Sequence, residues 1–67
     1  MTYNTRREQF DYPQVGDIWV WRGIEHYLLL QKVEYAPFTF NTIYLEEGIY
    51  MEEVPIDPRD YSWLKAV

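Results

Sequence analysis

The chain contains no cysteine and only one histidine, His26, among its 67 residues. Disulfide bonds are therefore excluded, and a structural zinc site, which needs about four Cys or His ligands, is not expected. A domain of this size buries only roughly 60% of the surface that its unfolded chain exposes. Its stability must then come from a dense apolar core or from a partner subunit, and we expect neither a metal nor another cofactor.

Long hydrophobic runs are also missing. No apolar stretch is longer than four residues, the length of 27–30, whereas a transmembrane helix needs about 18 or more. Residues 1–8 include two arginines with no hydrophobic region behind them, so a signal peptide is not expected. Together with the absence of cysteine, these features predict a cytoplasmic protein that does not bind membranes.

Positive charge is scarce in the second half of the chain. Residues 1–33 hold four acidic and four basic residues, whereas residues 34–67 hold seven acidic and two basic ones, so the net charge of −5 lies entirely there. Nucleic-acid binding normally requires a basic surface. We therefore expect no direct contact with nucleic acid. The carboxylates either keep the domain soluble or recognise a basic partner.

Aromatic side chains are abundant, because three Trp, seven Tyr and three Phe make up 19% of the residues. Each of them removes roughly 150 to 250 Å² from water when it is buried. These side chains must therefore fill the core or form an exposed binding surface.

The pattern of β-branched and aromatic residues, interrupted by Gly and Pro, predicts strands and no long helix. Residues 1–12 lack a clear period and are interpreted as a flexible N-terminal arm, followed by one domain over residues 13–67. A breaker segment, 55–60, precedes a closing segment, 61–67, predicted to form one helical turn and a short strand. The four main strands are predicted at about residues 17–22, 26–34, 38–45 and 49–54.

Both faces of the first predicted strand are apolar, since side chains alternate with period two. Trp19 and Trp21 share one face, and Ile18 and Val20 share the other. Such a strand is typical of a closed barrel, a sandwich or an oligomer, in which both faces are covered. For the two tryptophans together, burial is favoured over exposure, given the area they remove from water.

A three-residue loop, 46–48, is predicted between the third and fourth strands, with Gly48 in the left-handed conformation of a bulge. This register avoids placing a glutamate beside a core residue. It points Ile43, Leu45, Ile49 and Met51 inward. In the same register, the side chains of Thr42 and Glu52 point outward. Tyr44 and Tyr50 also point outward, as an exposed cross-strand pair.

The segments 15–19 (Val-Gly-Asp-Ile-Trp), 27–30 (Tyr-Leu-Leu-Leu) and 52–55 (Glu-Glu-Val-Pro) through Trp63 resemble Src-homology-3-like small barrels of the tudor, KOW and MazF/PemK type. The resemblance spans residues 15–64 and implies a small antiparallel barrel of four to five strands, as in many short phage and bacterial proteins. MazF-type ribonucleases use an Arg and a Ser or Thr near the first strands, for which Arg22 and Thr39 are the candidates. We do not carry this activity over, because the net charge opposes RNA binding.

Catalysis by a nucleophile and base would have to use His26 and Ser62, around which no motif is present. No Ca²⁺-loop spacing is present either. We therefore predict no enzyme, but a protein-binding module or accessory subunit, such as a phage encodes, with an aromatic face and an acidic rim. Candidate binding residues are Trp19, Trp21, Tyr44, Tyr50, Glu46, Glu47, Glu52 and Glu53, and Trp63 is a further candidate for the aromatic surface.

The expected partner is another protein with a basic surface, and a homo-oligomer is a second expectation. An acidic inhibitor that mimics nucleic acid and blocks a host or defence enzyme is the alternative function. The two differ in salt dependence, which should be steep for a mimic and shallow for an aromatic docking surface.

Overall fold

The computed structural model describes residues 12–66, which form five β-strands and no helix. No segment within that range is therefore a helix able to cross a membrane. The predicted arm falls largely on residues 1–11, outside the described part, although Tyr12 packs on Phe38 with ring centroids 5.9 Å apart. The strands are β1 (Ile18–Trp21), β2 (Glu25–Lys32), β3 (Thr39–Tyr44), β4 (Ile49–Pro55) and β5 (Trp63–Lys65).

All paired strands are antiparallel and form one sheet in the order β4-β3-β2-β1-β5. The predicted all-β fold is confirmed. Closure into a barrel is not, because β4 and β5 lie at opposite edges and do not pair with each other. The segment between them crosses one face of the sheet instead, and its Ile56 is fully buried. Among residues 12–66, the outer edges of β4 and β5 pair with no further strand.

The core lies on the face covered by that segment. Trp19 is only 3% exposed, which confirms that this tryptophan is buried, while Trp21 on the same face is half-buried. Every second side chain along β1 and β2 points to the same side of the sheet, which explains why these side chains share the core face. The buried cluster consists of Trp19, Tyr27, Leu29, Phe40, Ile56 and Trp63.

The opposite face of the sheet is also partly apolar. Ile18 on β1 lies opposite Leu28, Leu28 opposite Ile43, and Ile43 opposite Tyr50, so that one apolar row crosses four strands. Tyr50 is exposed and the others are half-buried. The expectation of an oligomer that covers this face stays a prediction.

The predicted register of the β3–β4 hairpin is wrong. Tyr44 pairs with Ile49 and Ile43 with Tyr50, which leaves a loop of four residues, 45–48, in place of three. The extra loop residue reverses the predicted faces of β3, because successive side chains alternate. Thr42, predicted to point outward, is fully buried and donates its hydroxyl to the Met51 carbonyl at 3.3 Å. This register buries Phe40 and half-buries Tyr44, which together remove more apolar area than Ile43 and Leu45.

The closing segment forms a strand as predicted. Trp63 pairs with Trp21, and the backbone N–H of Ala66 donates to the Ile18 carbonyl at 2.8 Å. Turns, and not a helix, precede the strand at residues 58–62. Trp63 is 8% exposed, so its apolar character is explained by burial.

Gly48 has a φ of +67°, which confirms the predicted left-handed conformation. An added Cβ would meet no atom within 4 Å. A substitution is therefore expected to act through the backbone conformation and not through steric crowding. We expect Gly48→Val to lower the free energy of unfolding by about 1 kcal/mol or more. Gly48→Asn is the matched control and should lower it much less, because Asn tolerates this conformation. Urea denaturation of both variants is the measurement, and equal stabilities would contradict the expectation.

Candidate functional site

A cleft of about 340 Å³ lies on the core face of the sheet. The end of β4 and the strand β5, which are edge strands that do not pair with each other, both contribute to it. Four strands and the β4–β5 connection contribute to it, so the site exists only in the folded sheet. Its lining residues are Trp21, Glu25, Tyr27, Val54, Pro55, Asp57, Asp60 and Trp63.

Three aromatic rings form the apolar wall of the cleft. The ring centroids of Trp21 and Trp63 are 5.0 Å apart with an interplanar angle of 55°, and those of Tyr27 and Trp63 are 5.4 Å apart at 69°. Tilted and edge-to-face arrangements are those that aromatic quadrupoles favour. Because Trp21 is half-buried while the other two rings are buried, Trp21 contributes the most accessible aromatic surface.

Three carboxylates stand beside these rings. Glu25 accepts a hydrogen bond from the Tyr27 hydroxyl at 3.0 Å, and Asp60 accepts one from the backbone N–H of Ser62 at 2.9 Å. Asp57 accepts two bonds from the Arg59 guanidinium, at 2.9 and 2.8 Å. This pairing holds the pKa of Asp57 below its usual value. The cleft therefore combines aromatic surface with negative charge.

Tyr27 belongs to the aromatic wall of the cleft and also contacts one of its carboxylates. Burial of its ring, and secondly its hydrogen bond to Glu25, raise the pKa of the Tyr27 phenol to about 12. The phenol thus keeps its proton at neutral pH and continues to donate to Glu25. This bond fixes the position of one carboxylate at the cleft.

No protein-family model, curated protein or solved structure matches the chain. Its function is therefore inferred from the geometry of its surfaces. Within residues 12–66, no three carboxylate or imidazole groups are placed so as to hold a metal ion.

The aromatic residues predicted to bind do not form one surface. Trp19 belongs to the core, whereas Trp21 and Trp63 line the cleft. Tyr44 is half-buried and stacks on Tyr27, with centroids 5.3 Å apart. The predicted exposed pair of Tyr44 and Tyr50 is wrong, because the observed register places these two side chains on opposite faces of the sheet.

The predicted acidic residues lie along the β3–β4 hairpin, away from the cleft lining. Glu46 accepts a hydrogen bond from the His26 backbone N–H at 2.8 Å and also contacts the His26 ring nitrogen Nδ1. The backbone bond is the main cause of a lowered pKa for Glu46. His26 is half-buried on β2. Glu47 is exposed at the hairpin loop.

A second, polar cleft of about 310 Å³ contains the other two predicted glutamates, Glu52 and Glu53. Both lie opposite Asn41 in a bulge of β4, where Glu53 has a φ of +58°. The Asn41 side chain accepts a bond from the Glu53 N–H at 3.1 Å and donates to Gln31 at 3.2 Å, while the Tyr35 hydroxyl donates to the Glu53 carboxylate. These bonds pin the bulge to its neighbours and account for its polar residues.

Sequence reasoning missed Glu25, Tyr27, Asp57 and Asp60 as members of the aromatic and acidic cleft. A signal for the first two was present, because Glu25 and Tyr27 share the period-two face of the buried Leu29. The two aspartates flank Pro58 and Arg59 in the breaker segment. Their place over the core depends on the path of that segment, which no local pattern specifies.

Proposed function

We propose that this chain is a non-catalytic protein-binding module that docks a basic partner in the aromatic and acidic cleft. The single observation that carries the proposal is the meeting of three aromatic rings and three carboxylates in one open cleft. Aromatic residues are the usual anchors of protein interfaces, and complementary charge sets the encounter rate and the choice of partner.

The surroundings of the cleft support this role. Among residues 12–66, its lining contains no Lys, Arg or His, so a partner with positive charge would meet acidic, aromatic and other apolar groups there. A volume of about 340 Å³ is at the low end for ligand sites. This size suits one anchoring side chain of a protein better than a large cofactor. A resemblance to Src-homology-3-like barrels is compatible with the small antiparallel sheet, and phage origin and cytoplasmic location stay predictions.

The test uses the full chain immobilised as bait for its native host extract, followed by kinetics on the purified partner. Trp21→Ala is expected to weaken binding by about 2 kcal/mol, roughly 30-fold in Kd, mainly through faster dissociation. Tyr50→Ala is the matched control, because it removes an exposed aromatic side chain outside the cleft. Loss of binding in Tyr50→Ala but not in Trp21→Ala would move the interface to the hairpin.

The acidic inhibitor that mimics nucleic acid is the second candidate. It is favoured by four exposed glutamates, which lie along one hairpin at positions 46, 47, 52 and 53. A mimic would lose affinity steeply as salt rises, and would depend on these glutamates more than on Trp21. A shallow salt dependence together with a strong effect of Trp21→Ala supports docking in the cleft.

A further inference from the structure

The negative charge of the aromatic and acidic cleft is only partly balanced by the residues that the structure describes. Of its three carboxylates, Asp57 is paired with Arg59, whose exposed guanidinium lies at the margin and not in the lining. Glu25 and Asp60 accept hydrogen bonds from a phenol and from a backbone N–H, which are neutral donors. Arg22, whose guanidinium carbon lies 5.2 Å from the Trp21 ring centroid, is a second positive charge at the edge of the cleft. Among the described residues, the three negative and two positive charges leave a net charge of −1, so a cation is the complementary ligand.

The chemical type of that cation follows from the aromatic rings and the carboxylates that line the cleft. An ammonium group is a compact point charge, whereas a guanidinium is planar, stacks on aromatic rings and directs its N–H donors outward in its own plane. A site with ring surface and carboxylates next to each other uses both properties. A quaternary ammonium group, by contrast, has no N–H to donate to Glu25 or Asp60.

Two arginines of the chain already display these contacts at the edge of the cleft. The Arg22 guanidinium carbon lies 5.2 Å from the Trp21 ring centroid. Arg59 grips Asp57 with two bonds from separate nitrogens to separate carboxylate oxygens. One ring and one carboxylate of this site, Trp21 and Asp57, therefore already contact guanidinium groups.

We propose that the cleft binds one arginine side chain of a partner protein, with its guanidinium on the aromatic wall and its N–H donors on Glu25 and Asp60. This inference rests on the proposed function and names the ligand that the module recognises. Asp57 is occupied by Arg59 and contributes through its charge alone.

The experiment titrates the full ¹⁵N-labelled chain with three blocked pentapeptides, Gly-Gly-X-Gly-Gly, in which X is arginine, lysine or citrulline. Citrulline keeps the shape of arginine and removes its charge. We expect the arginine peptide to shift the indole N–H resonances of Trp21 and Trp63, with a Kd at least about fivefold lower than that of the lysine peptide. The citrulline peptide should give no saturable shift.

Substitutions then locate the contact. The double variant Glu25→Gln with Asp60→Asn should weaken the arginine peptide at least about tenfold, since it removes both proposed acceptors' charges. Glu47→Gln with Glu52→Gln changes the net charge equally outside the cleft and should leave Kd unchanged. The same spectra report whether each variant is folded.

Several results would overturn the proposal. If the lysine peptide bound as tightly as the arginine peptide, the cleft would recognise positive charge without regard to the guanidinium group. If the citrulline peptide bound as tightly, the cleft would recognise the shape of the side chain and not its charge. Equal loss in both double variants would show attraction to the whole acidic surface. Failure of all peptides, while capture of the partner still depends on Trp21, overturns the arginine assignment and leaves the proposed function standing. Capture that is independent of Trp21 overturns the function itself.

Discussion

Truncation after Asp60 is expected to abolish cooperative unfolding of this domain. The truncation removes β5 and with it Trp63, whose ring packs against Trp21 and Tyr27 in the core. It also removes the backbone bond from the Arg22 N–H to the Ser62 carbonyl at 2.7 Å. Deleting one buried aromatic side chain typically costs about 3 to 5 kcal/mol. Small domains have a total stability of roughly 5 to 15 kcal/mol, so the shortened chain has little left.

Circular dichroism during heating and binding of a hydrophobic dye are the measurements. Trp63→Ala should lower the stability by about 3 kcal/mol or more without changing the chain length. Leu64→Ala on the same strand is the matched control, because Leu64 is 64% exposed and should change stability little. A truncated chain that melts cooperatively at the temperature of the intact protein would show that β5 is dispensable.

Raising the pH from about 10 to about 12 is expected to destabilise the fold through Tyr27. Burial and the hydrogen bond to Glu25 raise the folded-state pKa of this phenol to about 12, above the ordinary tyrosine value of about 10. The folded state therefore holds the proton more tightly than the unfolded state. The stabilisation is fully present below pH 10 and is lost as the pH rises through 12. Its size is on the order of 3 kcal/mol, since each of the two pKa units is worth about 1.4 kcal/mol.

Urea denaturation at several pH values between 8 and 12 (~0.5 unit steps) measures this dependence. Other tyrosines contribute to it, because the pKa values of Tyr35, Tyr44 and Tyr50 are also raised. Tyr27→Phe removes the titrating group and should flatten the fall in stability. Tyr50→Phe makes the same chemical change at an exposed position and should keep most of it. Identical slopes for the wild type and Tyr27→Phe would refute the role of Tyr27.

The elements of the fold were predictable because they depend on neighbours in sequence. Alternating β-branched and aromatic residues defined the strands, and Gly48 marked a hairpin loop with a positive φ. Burial of Trp19 and Trp21 was expected from the area that a Trp removes from water, and Trp19 is buried while Trp21 is half-buried. These features are encoded locally, so they survive without knowledge of the tertiary contacts.

The hairpin register was not predictable in the same way. Loops of three and four residues both allow Gly48 a positive φ, and they differ in which face of β3 is buried. The choice depends on Phe40 and Tyr44 packing with residues of other strands, including Tyr27. Bulges near Leu30 in β2 and at Glu53 in β4 change the alternation again. Each is a long-range effect that a local pattern does not report.

Composition and periodicity alone determined that this protein is an acidic antiparallel β-domain with a tryptophan-rich interior. Only the tertiary structure decided that the sheet stays open and that the β4–β5 connection brings Asp57 and Asp60 beside Trp21 and Trp63. The physical reason is separation along the chain. Strand formation depends on residues a few positions apart, whereas the cleft depends on how β1, β2, β4 and β5 pack once their shared core excludes water.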